Sequence, residues 1–153
     1  MRFTLDSNIL VYAVDVETTE KHRIANDLMI RAPKADAVLT AQALAEFLAV
    51  VRRKYPRHIE GALEYAESWS LLFPVAHTRW EDVAAAARLS RDHGLQIWDC
   101  IIWQAAASLG ASVFVSEDLK DGLTLAGMTV VDPFNPKNEA RLSRLLDTSR
   151  DRI

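Results

Sequence analysis

The chain has 153 residues, enough for one domain with a sizeable core and too few for two comfortable ones. Half of the residues are hydrophobic and a quarter charged, an ordinary balance for a folded protein, and the longest apolar run is far short of the roughly 20 residues that span a bilayer. A formal net charge of -3 supplies no overall basic field for nucleic acid, although a local one stays open, and the lone Cys100 excludes an internal disulfide and suits a reducing compartment.

The amino terminus runs directly into a strand, with no basic n-region, apolar h-region and cleavage site in series, so a cytoplasmic protein is expected. Residues 3–5 read as that strand and 8–14 as a short helix. A helix over 18–31 follows, then a brief strand at 37–40 feeding a helix over 41–55. In it Ala41, Leu44, Ala45, Leu48 and Val51 recur at helical spacing. Pro56 opens the next segment, where Ile59, Ala62, Ala66, Trp69 and Phe73 mark an amphipathic helix. Residues 74–76 form a candidate strand. Thr78 to Glu81 fits a capping box and Gly94 a stop, which bounds one helix, and 97–109 forms another that ends at Gly110. Residues 112–116 and 128–131 read as the last strands.

This alternation predicts a single α/β domain over 1–153, a three-layer fold with a central, mostly parallel sheet of four to five strands flanked by helices. Ligands of such sheets bind beyond the carboxyl ends of the strands. Asp6 and Asp118 both fall just past a strand end.

Asp6 is the one charge between Phe3 and Val14, Glu46 the one in ALAEFLAVV (43–51), and Asp99 the one between Leu95 and Val115. An unpaired carboxylate in apolar surroundings is costly, so either its pKa rises or it finds a cation. Asp118, in VSEDLKDG, has charged neighbours and is individually less telling. The four lie far apart in the chain, and only tertiary folding can join them. Repulsion among four close carboxylates calls for a divalent cation, and all-oxygen ligation selects Mg²⁺, or Mn²⁺, over zinc. Such a centre suits phosphodiester hydrolysis.

LDSNILVYA, AQALAEF, IWDCIIWQAA and VSEDLKDG with VVDPF resemble the PIN-domain ribonucleases, and within them the VapC-type toxins of bacterial toxin–antitoxin pairs. The resemblance runs from residue 1 to about 135. It implies a PIN-like fold in which Asp6, Glu46, Asp99 and Asp118 are the catalytic metal ligands. Asp6-Ser7-Asn8 matches the strand-end motif, Asp99 follows Trp98 at a helix start, and Ser116-Glu117-Asp118 matches the last acid. Asp121 is implied as an auxiliary acid, and Ser7, Asn8, Thr40 and Ser116 are expected to orient carboxylates and waters through hydrogen bonds. The resemblance further implies an RNA substrate, a protein antitoxin, a homodimer and no membrane association. A sequence pI of about 5.8 departs from what an RNA binder suggests.

Each acid also has a plainer reading. Asp6 can be an N-cap, Glu46 can reach solvent or pair with an arginine, Asp99 can favour a helix dipole, and Asp118 can be a turn acid. Trp69, Trp80, Trp98 and Trp103 lie in helical patterns and are expected in the core rather than under bases. The four histidines show no ligand spacing. Arg52-Arg53-Lys54 with Arg57-His58 fits an RNA backbone and a helix carboxyl terminus equally well. A haloacid-dehalogenase-type phosphotransferase needs an acid where Asn8 stands, and a receiver-like module needs one beside Asp6. A catalytically inactive PIN-like module that binds RNA or protein is the remaining alternative.

Overall fold

A computed structural model describes residues 1–149; residues 150–153, the end of the expected single domain, lie outside the described residues. The chain runs β1 (Phe3–Leu5), α1 (Ser7–Val14), α2 (Glu20–Arg31), β2 (Ala37–Thr40), α3 (Ala41–Lys54), α4 (Ile59–Leu72), β3 (Val75–Ala76), α5 (Trp80–His93), α6 (Ile97–Ser108), β4 (Val113–Val115), β5 (Thr124–Leu125), β6 (Met128–Val131) and α7 (Glu139–Leu145), with single 3₁₀ turns between several of them.

The sheet order is β3-β2-β1-β4-β6-β5, parallel throughout except for β5 against β6. Thr4 lies between Val38 and Phe114, so β1 occupies the middle of the sheet. Every residue of β1, β2 and β4 is buried, as expected for strands covered on both faces. From β1 the chain winds outward to β3 and then returns to β4 on the other side. The carboxyl ends of β1 and β4 therefore flank the point where the winding reverses, the place where open α/β sheets bind ligands. Phe3, Leu5, Leu39, Phe47, Trp103, Phe114 and Met128 form the fully buried centre of the core. Packed on the sheet are α1 against α2 and α3, and α5 against α6, which lies over β2 and β3. No described helix is long and apolar enough to cross a membrane.

The structure moves some boundaries. The helix expected from residue 18 begins at Glu20, because a 3₁₀ turn (Val16–Thr18) precedes it and Thr19 takes a φ of 47°. The capping box sits one residue later than expected, with Arg79 at the N-cap and Asp82 accepting from its backbone N at 3.0 Å. Ser108 of α6 donates to the same carboxylate at 2.8 Å, so a tertiary contact sets the frame. On α3 the core stripe is Ala43, Phe47 and Val51, and Ala45 is exposed. Trp69 and Trp103 are core residues, but Trp80 and Trp98 are 75% and 54% exposed. Both stand ahead of the first buried residue of their helices. The sixth strand, β5, comes from a tight hairpin with positive φ at Ala126 and Gly127.

Candidate active site

Asp6 ends β1 and caps α1. Its backbone N donates to Val115 O at 3.0 Å, which seats it at the β1–β4 seam. Its carboxylate accepts from Ser7 N at 2.7 Å and from the Ser116 hydroxyl at 2.6 Å, with Ser7 Oγ farther off at 3.5 Å. Asp6 is therefore an N-cap whose second carboxylate oxygen is held by Ser116. Only 1% of Asp6 is exposed, and burial pushes its pKa up to about 7. The Ser116 hydrogen bond works against that rise, while the charges of Asp99 and Asp118 add to it.

Glu46 sits in the second turn of α3, whose start is fixed by the Thr40 hydroxyl accepting from Ala43 N at 3.0 Å. Burial, then repulsion from Asp6, Asp99 and Asp118, raises Glu46 to about 7. Asp99, in the first turn of α6, is raised by burial and by Asp118. Asp118 follows β4 in a loop whose shape depends on Ser116, since Asp118 N donates to the same hydroxyl at 3.1 Å. Glu46 is thus the acid on which the charges of the other three act together.

Three of the four acids border a cleft of about 720 Å³. Glu46, Asp99 and Asp118 line it with Ser7, Arg53 and Gln96, and buried Asp6 adjoins Ser7 on that wall. Among the described residues no group of three or more His, Cys, Asp or Glu closes tightly enough to cage an ion. The acids border a shared space rather than a point.

The donor chemistry nevertheless fits a hard divalent cation. All the acids offer oxygen only, which suits Mg²⁺ or Mn²⁺ with retained waters. Of three buried side-chain atoms without a hydrogen-bond partner among the described residues, two belong here, Glu46 Oε2 and Asn8 Oδ1. A buried acceptor left unpaired is costly, and on the cleft wall a cation or a water it carries would satisfy Glu46 Oε2.

The supporting residues divide. Ser116 joins Asp6 to the Asp118 loop, and Asn8 Nδ2 approaches its hydroxyl at 3.5 Å. Thr40 acts through the α3 cap. Asp121 faces a different set of partners, Asp132 N, Asn135 Nδ2 and Asn138 Nδ2, at 2.9–3.0 Å. Burial pushes its pKa up, but these donors outweigh burial and hold it below the usual range. Its contacts make it an organiser of the segment after β6.

Sequence reasoning missed Glu117, which sits between Ser116 and Asp118. Glu117 accepts from the Tyr12 hydroxyl and pairs with Lys21 at 2.7 Å, while the Lys21 ammonium lies 5.0 Å from the Tyr12 ring centre and 5.3 Å from that of Phe134. This clamp ties α1 and α2 to the loop carrying Asp118. Its members look like surface charges in sequence, and nothing in their spacing announces the contact.

Residues 3–121 match the family model described as PIN domain. Among the solved structures that share the fold are the following three. VapC20 of Mycobacterium tuberculosis, a sarcin-ricin loop cleaving toxin, is 16% identical with a TM-score of 0.61, over 73% of this chain and 86% of its own. VapBC2 of Rickettsia felis, bound to a DNA fragment from its promoter, is 19% identical with a TM-score of 0.59, over 85% and 97%. A toxin–antitoxin complex of Klebsiella pneumoniae is 21% identical with a TM-score of 0.60, over 86% and 97%. No curated protein sequence matches the chain.

Proposed function

The chain belongs to the PIN-domain family, and we propose that it is a divalent-metal-dependent endoribonuclease, the toxin of a type II toxin–antitoxin pair. What supports this reading is that Glu46, Asp99 and Asp118 line one cleft beyond the carboxyl ends of β1 and β4, with buried Asp6 next to Ser7 of its wall, and that the charges of the other three act on Glu46. Asp6, Glu46, Asp99 and Asp118 would hold Mg²⁺ or Mn²⁺. That ion would supply the positive charge that activates water and steadies the departing oxygen.

The chain's own residues do the rest. Ser7 N and Ser116 orient Asp6 so that its carboxylate cannot rotate away. Glu46 Oε2, unpaired, offers an acceptor for a proton at the cleft wall. The Glu117 clamp fixes the loop that presents Asp118. Asp99 projects from the first turn of α6, where a negative charge is favoured by the helix dipole.

The partner reading draws on the Rickettsia and Klebsiella complexes, each of which includes an antitoxin. Exposed apolar side chains on α2 and α4, among them Ile30, Leu63, Tyr65, Leu71 and Leu72, support contacts with an antitoxin and a second copy of the chain. Its RNA substrate would place the protein in the cytoplasm. The test is cleavage of structured RNA with Mg²⁺ or Mn²⁺, followed by excess chelator. Cleavage that stops with the chelator supports the reading. Binding without cleavage under any divalent ion would instead mark an inactive PIN-like module.

A further inference from the structure

One face of α3 runs along the acidic cleft. Glu46, Ala49, Val50 and Arg53 all line it, at the i, i+3, i+4, i+7 spacing of a single helical stripe. Seven residues at the helical rise carry Arg53 about 10 Å beyond Glu46. Among the described residues Arg53 is the one cationic group on the cleft wall. It is exposed, and no ion pair engages it among those residues. The acids therefore stand at one end of the stripe and an unengaged guanidinium at the other.

Complementing the helix dipole does not account for this placement. Arg52 and Lys54 share the last turn of α3 and supply the same charge there, yet neither lines the cleft. The cleft, at about 720 Å³, is far larger than an ion with its waters requires and is of a size that takes an organic ligand. Ala49 and Val50 keep the wall between its two ends small and uncharged. With a net charge of -3, attraction for a polyanion has to come from local cations.

We infer that Arg53 binds a backbone phosphate of the RNA next to the phosphate held at the acids, fixing the direction in which the strand crosses the cleft. This rests on the nuclease reading. A guanidinium suits the task because it meets phosphate oxygens through two parallel hydrogen bonds, where an ammonium offers a point charge.

The test uses a labelled single-stranded RNA oligonucleotide of mixed sequence, in Mg²⁺, with KCl between 50 and 200 mM. Arg53→Gln should raise KM roughly 10-fold with kcat within about twofold, and should flatten the slope of log(kcat/KM) against log[KCl] by about 0.7, the value for one phosphate on a single strand. Arg53→Lys should restore the slope while recovering only part of KM, and melting temperatures should match the parent's. An unchanged slope in Arg53→Gln overturns the assignment, as does an equal loss in the Gln and Lys variants. If the parent fails to cleave, the same slopes are read from fluorescence anisotropy of the bound oligonucleotide. A slope lost there upholds Arg53 while the nuclease reading falls; a parent that neither cleaves nor binds overturns both.

Discussion

Asp6 and Glu46 are carboxyls that the fold keeps close to neutrality, both raised to about 7 mainly by burial, from ordinary values of 3.8 and 4.5. The sign of the consequence is definite. Between those ordinary values and about 7 the folded state holds more protons than the unfolded chain, so stability without metal falls as pH rises through that window. Chemical denaturation in chelator at a series of pH values should show that fall, and Asp6→Asn should reduce its slope. A slope that is the same in both proteins would contradict the role given to Asp6. Ser116 makes a complementary prediction. Its hydroxyl is the side-chain donor that favours ionised Asp6 and also receives Asp118 N, so Ser116→Ala should weaken Mg²⁺ or Mn²⁺ affinity by roughly 10–100-fold in calorimetry. Unchanged affinity would remove Ser116 from the site.

At the scale of elements, the start of α5 is held apart from the acid cleft. Asp82 is buried and brought down to about 2, first by hydrogen bonds from the Arg79 side chain, with Arg79 N and Ser108 assisting. Its depressed pKa contributes stability that is present above the unfolded value of 3.8 and lost as pH falls through about 2. Asp82→Ala should cost about 1–2 kcal/mol, the usual worth of a helix cap, and leave metal affinity intact. Thermal unfolding and calorimetry on the variant check both halves. This cap also shows what local pattern can and cannot convey. Thr78-Arg-Trp-Glu81 has the composition of a capping box, but Ser108, 26 residues beyond Asp82, decides which acid is used. The parallel strands were legible because burial on both faces makes them continuous apolar runs. The β5–β6 hairpin was not, since Ala126-Gly127 lacks the Asn or Asp that usually marks its turn. Nor was α7 expected; only Leu142 and Leu145 in it are buried, too few for a helical stripe.

At the scale of the molecule, the four proposed acids stand out in the sequence because each breaks an apolar segment or follows a strand, features that survive without coordinates. Arg53 and Glu117 were harder to read, because a charge in a charged neighbourhood carries no such contrast. Exposed Leu71, 88% accessible, and its neighbours on α4 lead to the prediction that the protein sediments at about twice the 17.1 kDa chain mass. A strict monomer at high concentration would contradict the dimer. The central claim is that the acids form one metal-dependent catalytic centre, and its most direct test is RNA cleavage by Asp6→Asn in Mg²⁺ beside its melting temperature in chelator. Asn caps a helix nearly as well as Asp and relieves repulsion from Asp99 and Asp118, so the fold should persist with an equal or higher melting temperature while cleavage collapses. Cleavage at the parent's rate by the folded variant would contradict the claim.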